Sequence, residues 1–229
     1  MKTILVLDTA TEACSVALQH QGKTTFLDEL SPRTHTQRIL PMVDELLTQA
    51  GISLQQVDAL AFGRGPGSFT GVRVGVGVAQ GLAMGAGLPV IPVSNLMAMA
   101  EAAYQQYQQT EVVALIDARM SEVYFAQYRR DEQGWQIVVA EQVCSPEKAI
   151  EQIQTDRNPI VVGTGWAAYL QFAPFSPPLV VSDITLPSAR FMLPLAEVAL
   201  QQGNTQSAMA IEPVYLRNEV TWQKLPNKQ

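Results

Sequence analysis

The sequence predicts an α/β fold made of two similar units, each with a mixed β-sheet flanked by helices. A short apolar run that ends in an aspartate occurs twice, at residues 4–8 and 112–117. Two more strand-like segments follow each run, and an alanine stands nine residues after the aspartate in both halves. Strands and helices then alternate in each half, as in a duplicated mixed sheet. We expect the halves to face each other across a cleft whose walls carry Asp8 and Asp117.

The composition is typical of a compact globular protein. Apolar residues make up 47% of the 229 residues, charged residues 16%, and the formal net charge is −6. A basic face normally supplies most of a protein's affinity for nucleic acid, so this chain is not expected to bind nucleic acid by itself. The apolar run at residues 4–7 is too short for a secretory signal, and two prolines interrupt the uncharged stretch at residues 74–93. We therefore expect a cytoplasmic protein without membrane contact.

The first half, residues 1–108, is predicted to form the N-terminal lobe. Continuous or alternating apolar runs predict its strands, which are Thr3–Leu7, Cys14–Gln19, Lys23–Leu30, Ala59–Phe62 and Pro89–Val93. Apolar residues at helical spacing predict its helices, which are Arg33–Ala50, Thr70–Gly85 and a segment from Ser94 to about Gln108. Gly51 marks the end of the first of these helices.

The second half, residues 109–206, is predicted to repeat this order as a C-terminal lobe. Its strands are predicted at Val112–Asp117, Glu122–Ala126, Trp135–Val143 and Ile160–Gly163. Its helices are predicted at Pro146–Ile153, Trp166–Phe172 and Ala189–Gln202. A proline-rich passage separates the last two helices, and residues 207–229 are expected to form a tail that returns to the N-terminal lobe.

The stretch from Phe62 to Gly85 combines a strand end, a glycine turn and the start of a helix. This arrangement can receive an anion, because backbone N–H groups and the helix dipole converge there. The candidate residues for a weak nucleotide or anion site are Asp8, Gly65, Gly67, Ser68 and Thr70. A P-loop lysine is absent and the glycine spacing does not fit a dinucleotide fingerprint. Asp8 is more simply explained as a cap on the loop that follows it, through backbone N–H groups of residues 9–11.

Glycines recur every four residues in the helix predicted over residues 70–85, at Gly77, Gly81 and Gly85. Alternating valines would also fit a strand here, but the four-residue spacing and the length favour a helix. Each interior glycine costs a helix about 1 kcal/mol relative to alanine. Close approach of another backbone would offset that cost. The small-residue face therefore packs either inside its own lobe or against a partner helix.

Three segments give the chain a resemblance to a known family. They are DTATEACSVAL at residues 8–18, GRGPGSFTGVRVGVGVAQGLA at residues 63–83 and PVYLR at residues 213–217. On these motifs the chain resembles the bacterial TsaB (YeaZ) family. The resemblance implies duplicated ribonuclease-H-like lobes of the actin-like, sugar-kinase and Hsp70 superfamily. It also implies a role in forming N6-threonylcarbamoyladenosine beside the anticodon of tRNAs that read codons starting with A.

The resemblance further implies a partner subunit rather than an enzyme. TsaD, a paralogue, carries the active site and forms a heterodimer with such a protein; TsaE, an ATPase, acts on the pair. When TsaD is absent, a homodimer is implied. Contact with tRNA is implied only through the complex. No tightly bound cofactor is implied, and binding of ATP or ADP is left open. Helices over residues 33–50 and 70–85 are implied as the partner surface, and its candidate residues are His35, Ile39, Val43, Leu46, Val74, Gly77, Val78 and Gly81.

The residues offer no usual catalytic or metal set. The TsaD family holds its metal with a His-x-x-x-His pair after the strand that follows the glycine motif, and the corresponding stretch here, Val93–Ala100, has no His or Cys. The histidines, His20 and His35, stand alone, so we predict no metal site. Cys14 and Cys144 are expected to be buried free thiols.

Other charged residues have structural explanations, and other functions fit the sequence less well. Asp117 and Arg119 are expected to clamp a strand-end loop. Arg33, His35 and Arg38 give the first helix a basic start, which would suit an acidic neighbour or partner, although a solvated face is the simpler explanation. A stand-alone ATP-dependent small-molecule kinase of the same fold stays an alternative function. A protease is not indicated, because neither histidine has a plausible nucleophile in its segment.

Overall fold

The chain folds into two mixed five-stranded sheets with the same strand order. The computed structural model describes residues 1–213 and 215–217. The strands of the first sheet are β1 (Ile4–Asp8), β2 (Ala13–His20), β3 (Lys23–Leu30), β4 (Ala59–Gly63) and β5 (Val90–Val93), in the order β3-β2-β1-β4-β5. Strands β1, β2 and β3 pair antiparallel, whereas β1, β4 and β5 pair parallel.

The second sheet repeats this topology strand for strand. Its strands are β6 (Glu111–Arg119), β7 (Glu122–Asp131), β8 (Gly134–Cys144), β9 (Ile160–Val162) and β10 (Val180–Val181), in the order β10-β9-β6-β7-β8. Strands β6, β7 and β8 are antiparallel, and β6, β9 and β10 are parallel. The predicted duplication of a mixed sheet is confirmed.

The helices follow the predicted segments closely in the first half. They are α1 (His35–Ala50), α2 (Phe69–Ala86) and α3 (Asn95–Tyr107). Gly51 ends α1 in the left-handed conformation, and the side chains of Ser68 and Ser94 accept N-cap hydrogen bonds at the starts of α2 and α3. These caps satisfy backbone donors that have no partner inside a helix. The alternating valines of residues 72–78 therefore lie in a helix, as predicted.

The second half departs from the prediction in its shorter elements. Its helices are α4 (Pro146–Gln152), α5 (Gly165–Ala168) and α6 (Ala189–Gln201). The helix predicted over Trp166–Phe172 is broken into α5 and a 3-10 turn at Leu170–Phe172. Strand β10 lies inside the proline-rich passage, where its two residues are too few to produce a recognisable pattern.

Helices α3 and α6 lie between the two sheets, and each packs on the sheet of the other half. Leu96 and Met99 of α3 pack with Val112 and other residues of the second sheet. Met192 and Leu193 of α6 pack with strands β1, β2, β4 and β5 of the first sheet. Helices α1 and α2 cover the other face of the first sheet. The layers are therefore helix, sheet, helix, sheet, helix, and the two halves interlock.

The last described residues contact both lobes. Gln206 forms an isolated antiparallel bridge with Val90 of β5. Ala208 and Ile211 are buried in the core beneath α1 and α2, and Arg217 forms an ion pair with Glu122 of β7. The ranges 1–108, 109–206 and 207–229 remain predictions as domain boundaries, and Val214 and residues 218–229 lie outside the described residues. Within the described part of the chain, no helix has the length and apolar character needed to cross a bilayer.

Candidate functional site

Asp8 lies at the carboxyl end of β1 and is completely buried. Its Oδ1 accepts hydrogen bonds from the side-chain amide of Asn95, at 2.9 Å, and from the backbone N–H of Ala10, at 3.2 Å. Burial raises the pKa of this carboxyl to about 6, although both hydrogen bonds act in the opposite direction. The expected loop-capping role is present in the Ala10 contact. No solvent-facing oxygen is left to orient a bound cation.

The glycine turn packs tightly against the loop that follows Asp8. A Cβ added to Gly63 would lie 2.0 Å from Asp8 Oδ1, and one added to Gly71 would lie 2.2 Å from the Thr9 carbonyl oxygen. The Thr9 hydroxyl donates to the Gly71 carbonyl at 2.7 Å. Gly67 has the same relation to Ala10, whose carbonyl oxygen would be 2.2 Å from an added Cβ. These glycines are required because two backbone segments approach within contact distance.

Several N–H groups of the turn donate to acceptors within the chain. The N–H of Gly65 donates to Asn95 Oδ1 at 2.8 Å, and that of Ser68 donates to the Ala10 carbonyl at 2.8 Å. The N–H of Gly71 donates to the Ser68 hydroxyl at 3.1 Å. These three donors are therefore not available to an anion at this helix start. Of the predicted anion-site residues, Ser68 and Thr70 are exposed, whereas Asp8, Gly65 and Gly67 are wholly or largely enclosed. Binding of nucleotide there remains a prediction.

Asn95 is the site residue that the sequence analysis missed. It lies at the first position of α3, directly after β5, and its side chain joins the Gly65 turn to Asp8. Its backbone N–H also donates to the Gly65 carbonyl at 3.0 Å. Strands β1, β4 and β5 are parallel, so residues that follow their carboxyl ends meet at one edge of the sheet. That rule could have pointed to Asn95 once the strand order was known.

Helix α2 has two glycine faces with different surroundings. Gly71 and Gly75 face the Asp8 loop, whereas nothing lies within 4 Å of a Cβ added to Gly77, Gly81 or Gly85. The outer glycines therefore have no packing role inside their own lobe, and Val74 and Val78 beside them are half-buried. Close packing within the lobe explains Gly71 and Gly75 but not Gly77, Gly81 and Gly85.

The apolar residues that α1 contributes to the predicted partner surface are in the core instead. Ile39, Val43 and Leu46 are 0%, 4% and 1% exposed and pack against the first sheet. Their spacing is that of the buried face of an amphipathic helix. Because they are buried in the lobe, they do not belong to the candidate partner surface. His35 is half-buried, and its Nε2 lies 2.7 Å from the Thr11 carbonyl oxygen. Leu40, 48% exposed, is the apolar residue that α1 presents outward.

The strand-end acid of the second lobe differs from Asp8 in being exposed. Asp117 Oδ1 accepts hydrogen bonds from the backbone N–H of Arg119, at 2.9 Å, and from the Tyr169 hydroxyl, at 2.8 Å. The expected loop clamp is thus present, but it uses the backbone of Arg119 and not its guanidinium. The basic start of α1 has an acidic neighbour and not a solvated face alone, because Arg38 binds Glu29 through two hydrogen bonds of 2.6 and 2.8 Å.

The titratable residues that could ligate a metal are dispersed. Among residues 1–213 and 215–217, no group of three or more His, Cys, Asp and Glu side chains is placed to hold an ion. The absence of a metal site stays a prediction. Cys14 and Cys144 are buried free thiols, as expected, and burial raises the pKa of each to about 11.

Comparison with protein families and with known proteins gives a consistent result. Residues 16–224 match the family model described as TsaD: tRNA N6-adenosine threonylcarbamoyltransferase. A Haemophilus influenzae protein named tRNA threonylcarbamoyladenosine biosynthesis protein TsaB is 60% identical, with 99% of this chain and 98% of that protein covered. An Escherichia coli protein of the same name is 53% identical, with 99% of each chain covered.

Solved structures show the same relationship. The structure named YeaZ from Pseudomonas aeruginosa superposes with a TM-score of 0.85 at 43% identity, covering 94% of this chain and all of that one. A second Pseudomonas aeruginosa structure, described as similar to peptidase YEAZ, has a TM-score of 0.88 at 44% identity over 95% of this chain and all of that one. This chain therefore belongs to the TsaB (YeaZ) family, and it matches the TsaD family model over most of its length.

Proposed function

We propose that this chain is the non-catalytic partner subunit of a TsaD paralogue in the transfer of a threonylcarbamoyl group to tRNA. The modified base is the adenosine next to the anticodon in tRNAs that read codons starting with A. The names of the relatives, which place them in threonylcarbamoyladenosine biosynthesis, support the pathway. TsaE completes the proposed complex, tRNA contacts this chain only as part of it, and the homodimer is the proposed state when TsaD is absent.

The outer face of α2 is the observation that carries the partner role. Gly77 and Gly81 are exposed and have open space over them, although each costs the helix about 1 kcal/mol relative to alanine. A partner helix that packs over them would offset that cost, because the absence of side chains lets backbones approach closely. Phe69 and Met84, 51% and 56% exposed, supply apolar area on the same helix, as a docking surface requires.

The enclosed strand-end acid supports a non-catalytic role. Asp8 is completely buried beneath the glycine turn, and the turn itself is filled by the loop at Thr9 and Ala10. A phosphate or a cation would have to displace that loop to reach the carboxylate. The stretch Val93–Ala100 also lacks the His pair that the TsaD family uses for its metal. We propose that no cofactor is tightly bound, and that ATP or ADP acts only in the assembled complex.

Reconstitution of tRNA modification tests this function directly. TsaD and TsaE, supplied with ATP and an activated threonylcarbamoyl donor, are assayed for threonylcarbamoyladenosine in an unmodified tRNA substrate, with and without this chain. We expect product only when this chain is added, and no product from this chain alone. Equal product without it would contradict the proposal, and so would phosphorylation of a small molecule by this chain alone.

Substitution of the outer glycines tests the surface. We expect Gly77→Leu or Gly81→Leu to weaken TsaD binding in calorimetry by at least about tenfold, since a leucine would separate the two helices. Glu151→Leu is the matched control, because it adds an equal exposed side chain on α4 of the other lobe. Circular dichroism would show that all three variants fold. Binding that is equal in all three variants and the parent chain would exclude this surface.

A further inference from the structure

One carboxylate joins the two lobes across the cleft. Glu141, on β8 of the second sheet, has its Oε2 3.0 Å from Nη1 of Arg64, which follows β4 of the first sheet. Its Oε1 accepts hydrogen bonds from the hydroxyl of Ser94, the N-cap of α3, and from the hydroxyl of Tyr128, on β7, at 3.0 Å. Side chains from both lobes thus converge on Glu141, and both of its oxygens are occupied.

These groups are shielded from water. The side chains of Arg64 and Glu141 are 24% and 15% exposed, whereas Ser94 and Tyr128 are 6% and 1% exposed. Burial, with a further contribution from the Glu141 charge, raises the pKa of Tyr128, which therefore remains a hydrogen-bond donor. Ion pairs with little solvent access are screened weakly, and removal of one partner leaves a charge that the surroundings cannot solvate.

This cluster lies at the edge of the first sheet where the parallel strands end. Arg64 and Ser94 follow the carboxyl ends of β4 and β5, beside the end of β1. Ligands of parallel α/β sheets bind outside those strand ends. Here Glu141 of the opposite lobe occupies that position. The next residue, Asn95, extends the contact to Asp8 through its side chain.

We propose that Arg64 and Glu141 form an interlobe latch that holds the two sheets at one angle and keeps the cleft closed. Otherwise the sheets are joined largely through α3 and α6, and packed helices can slide past one another by small displacements. Charge-assisted hydrogen bonds are directional, so the latch restricts this sliding. The latch lies at the cleft and is independent of the partner surface on α2.

Amide hydrogen exchange and small-angle scattering of the full chain test the latch. In Glu141→Gln and Arg64→Met we expect exchange at residues 64–65 and 139–142 to rise by at least about tenfold, because a partly buried charge loses its partner. We also expect a larger radius of gyration, which local fraying alone would not produce. The double variant leaves no charge without its partner, so it should show a smaller rise in exchange than either single variant while keeping the larger radius of gyration.

Arg38→Met is the matched control. It breaks the ion pair of Arg38 with Glu29, at 2.6 Å, which lies within the first lobe. We expect this variant to leave cleft exchange and the scattering curve unchanged. Tyr128→Phe removes only the hydroxyl that donates to Glu141, so we expect a smaller increase in exchange. This variant tests the latch if the charge variants fail to fold. Exchange and scattering like those of the parent chain in every folded latch variant would overturn the proposal.

Discussion

At the residue scale, Asp8 shows how burial changes the role of an acid. A strand-end aspartate in a cleft would ordinarily be exposed and ionised. Here Gly63 leaves no space over its Oδ1, and within the described residues its Oδ2 has no hydrogen-bond partner. Desolvation of the charged form is therefore the main cause of its raised pKa. The carboxyl supports the Gly65 turn through Asn95.

Asp8 should make the free energy of unfolding depend on pH in an unusual direction for an acid. Its pKa is 3.8 unfolded and about 6 folded, so ionisation opposes folding above about pH 4. From pH 7 to pH 4 we expect the parent chain to gain about 2–3 kcal/mol of stability relative to Asp8→Asn, whose amide does not titrate. Denaturant unfolding of both proteins across this range measures the difference. Parallel pH profiles would show that Asp8 is not desolvated.

At the element scale, α2 uses its glycines on two faces for two purposes. The inner glycines let the helix and the Gly65 turn pack against the loop after β1. The outer glycines leave an exposed strip on a helix that also exposes the side chains of Phe69 and Met84. Sequence spacing reveals the four-residue period but not which face is inward. Which face of α2 points inward depends on how the helix lies on the first sheet.

Alanine substitution separates the two faces of α2. Gly71→Ala should destabilise the fold by about 2 kcal/mol or more, because its Cβ would lie 2.2 Å from the Thr9 carbonyl oxygen. Gly77→Ala should stabilise the monomer by about 1 kcal/mol, since alanine is the better helix former and the space is open. Thermal and denaturant unfolding measure both changes. Equal effects of the two substitutions would mean that the inner face is not tightly packed.

At the scale of the whole molecule, the crossing of α3 and α6 makes the two lobes interdependent. Helix α3 precedes the second sheet in the chain and packs on it, whereas α6 follows that sheet and packs on the first. Each sheet therefore takes part of its core from the other half. The latch between Glu141 and Arg64 adds a polar contact to the apolar packing of α3 and α6.

We expect neither half to fold alone. A fragment of residues 1–108 would expose Leu96 and Met99 of α3 and also the face of the first sheet that α6 covers. Circular dichroism and NMR of fragments 1–108 and 109–229 should show little fixed structure, and mixing them should restore it. A well-dispersed spectrum from the first fragment alone would contradict this interdependence.

The sequence by itself determined most of the elements and their order, the exceptions being the two-residue strand β10 and the break between α5 and the 3-10 turn that follows it. Apolar runs, the caps at Ser68 and Ser94, and the stop at Gly51 are local signals, and each corresponds to a strand or helix end in the structure. The repeated strand–aspartate pattern was enough to predict two mixed sheets of one topology. Family motifs in residues 8–18 and 63–83 were sufficient for the family. These features depend on neighbours within about one helical turn or one strand pair.

Only the tertiary structure decided which surfaces meet. The burial of Asp8, the inward position of Ile39, Val43 and Leu46, and the contact of Glu141 with Arg64 all join residues far apart in the chain. The packing of α3 and α6, each on the sheet of the other half, also joins residues far apart in the chain. A period shows that a helix has an apolar face, but long-range packing decides which sheet that face covers. The same packing leaves the outer glycines of α2 free for a partner.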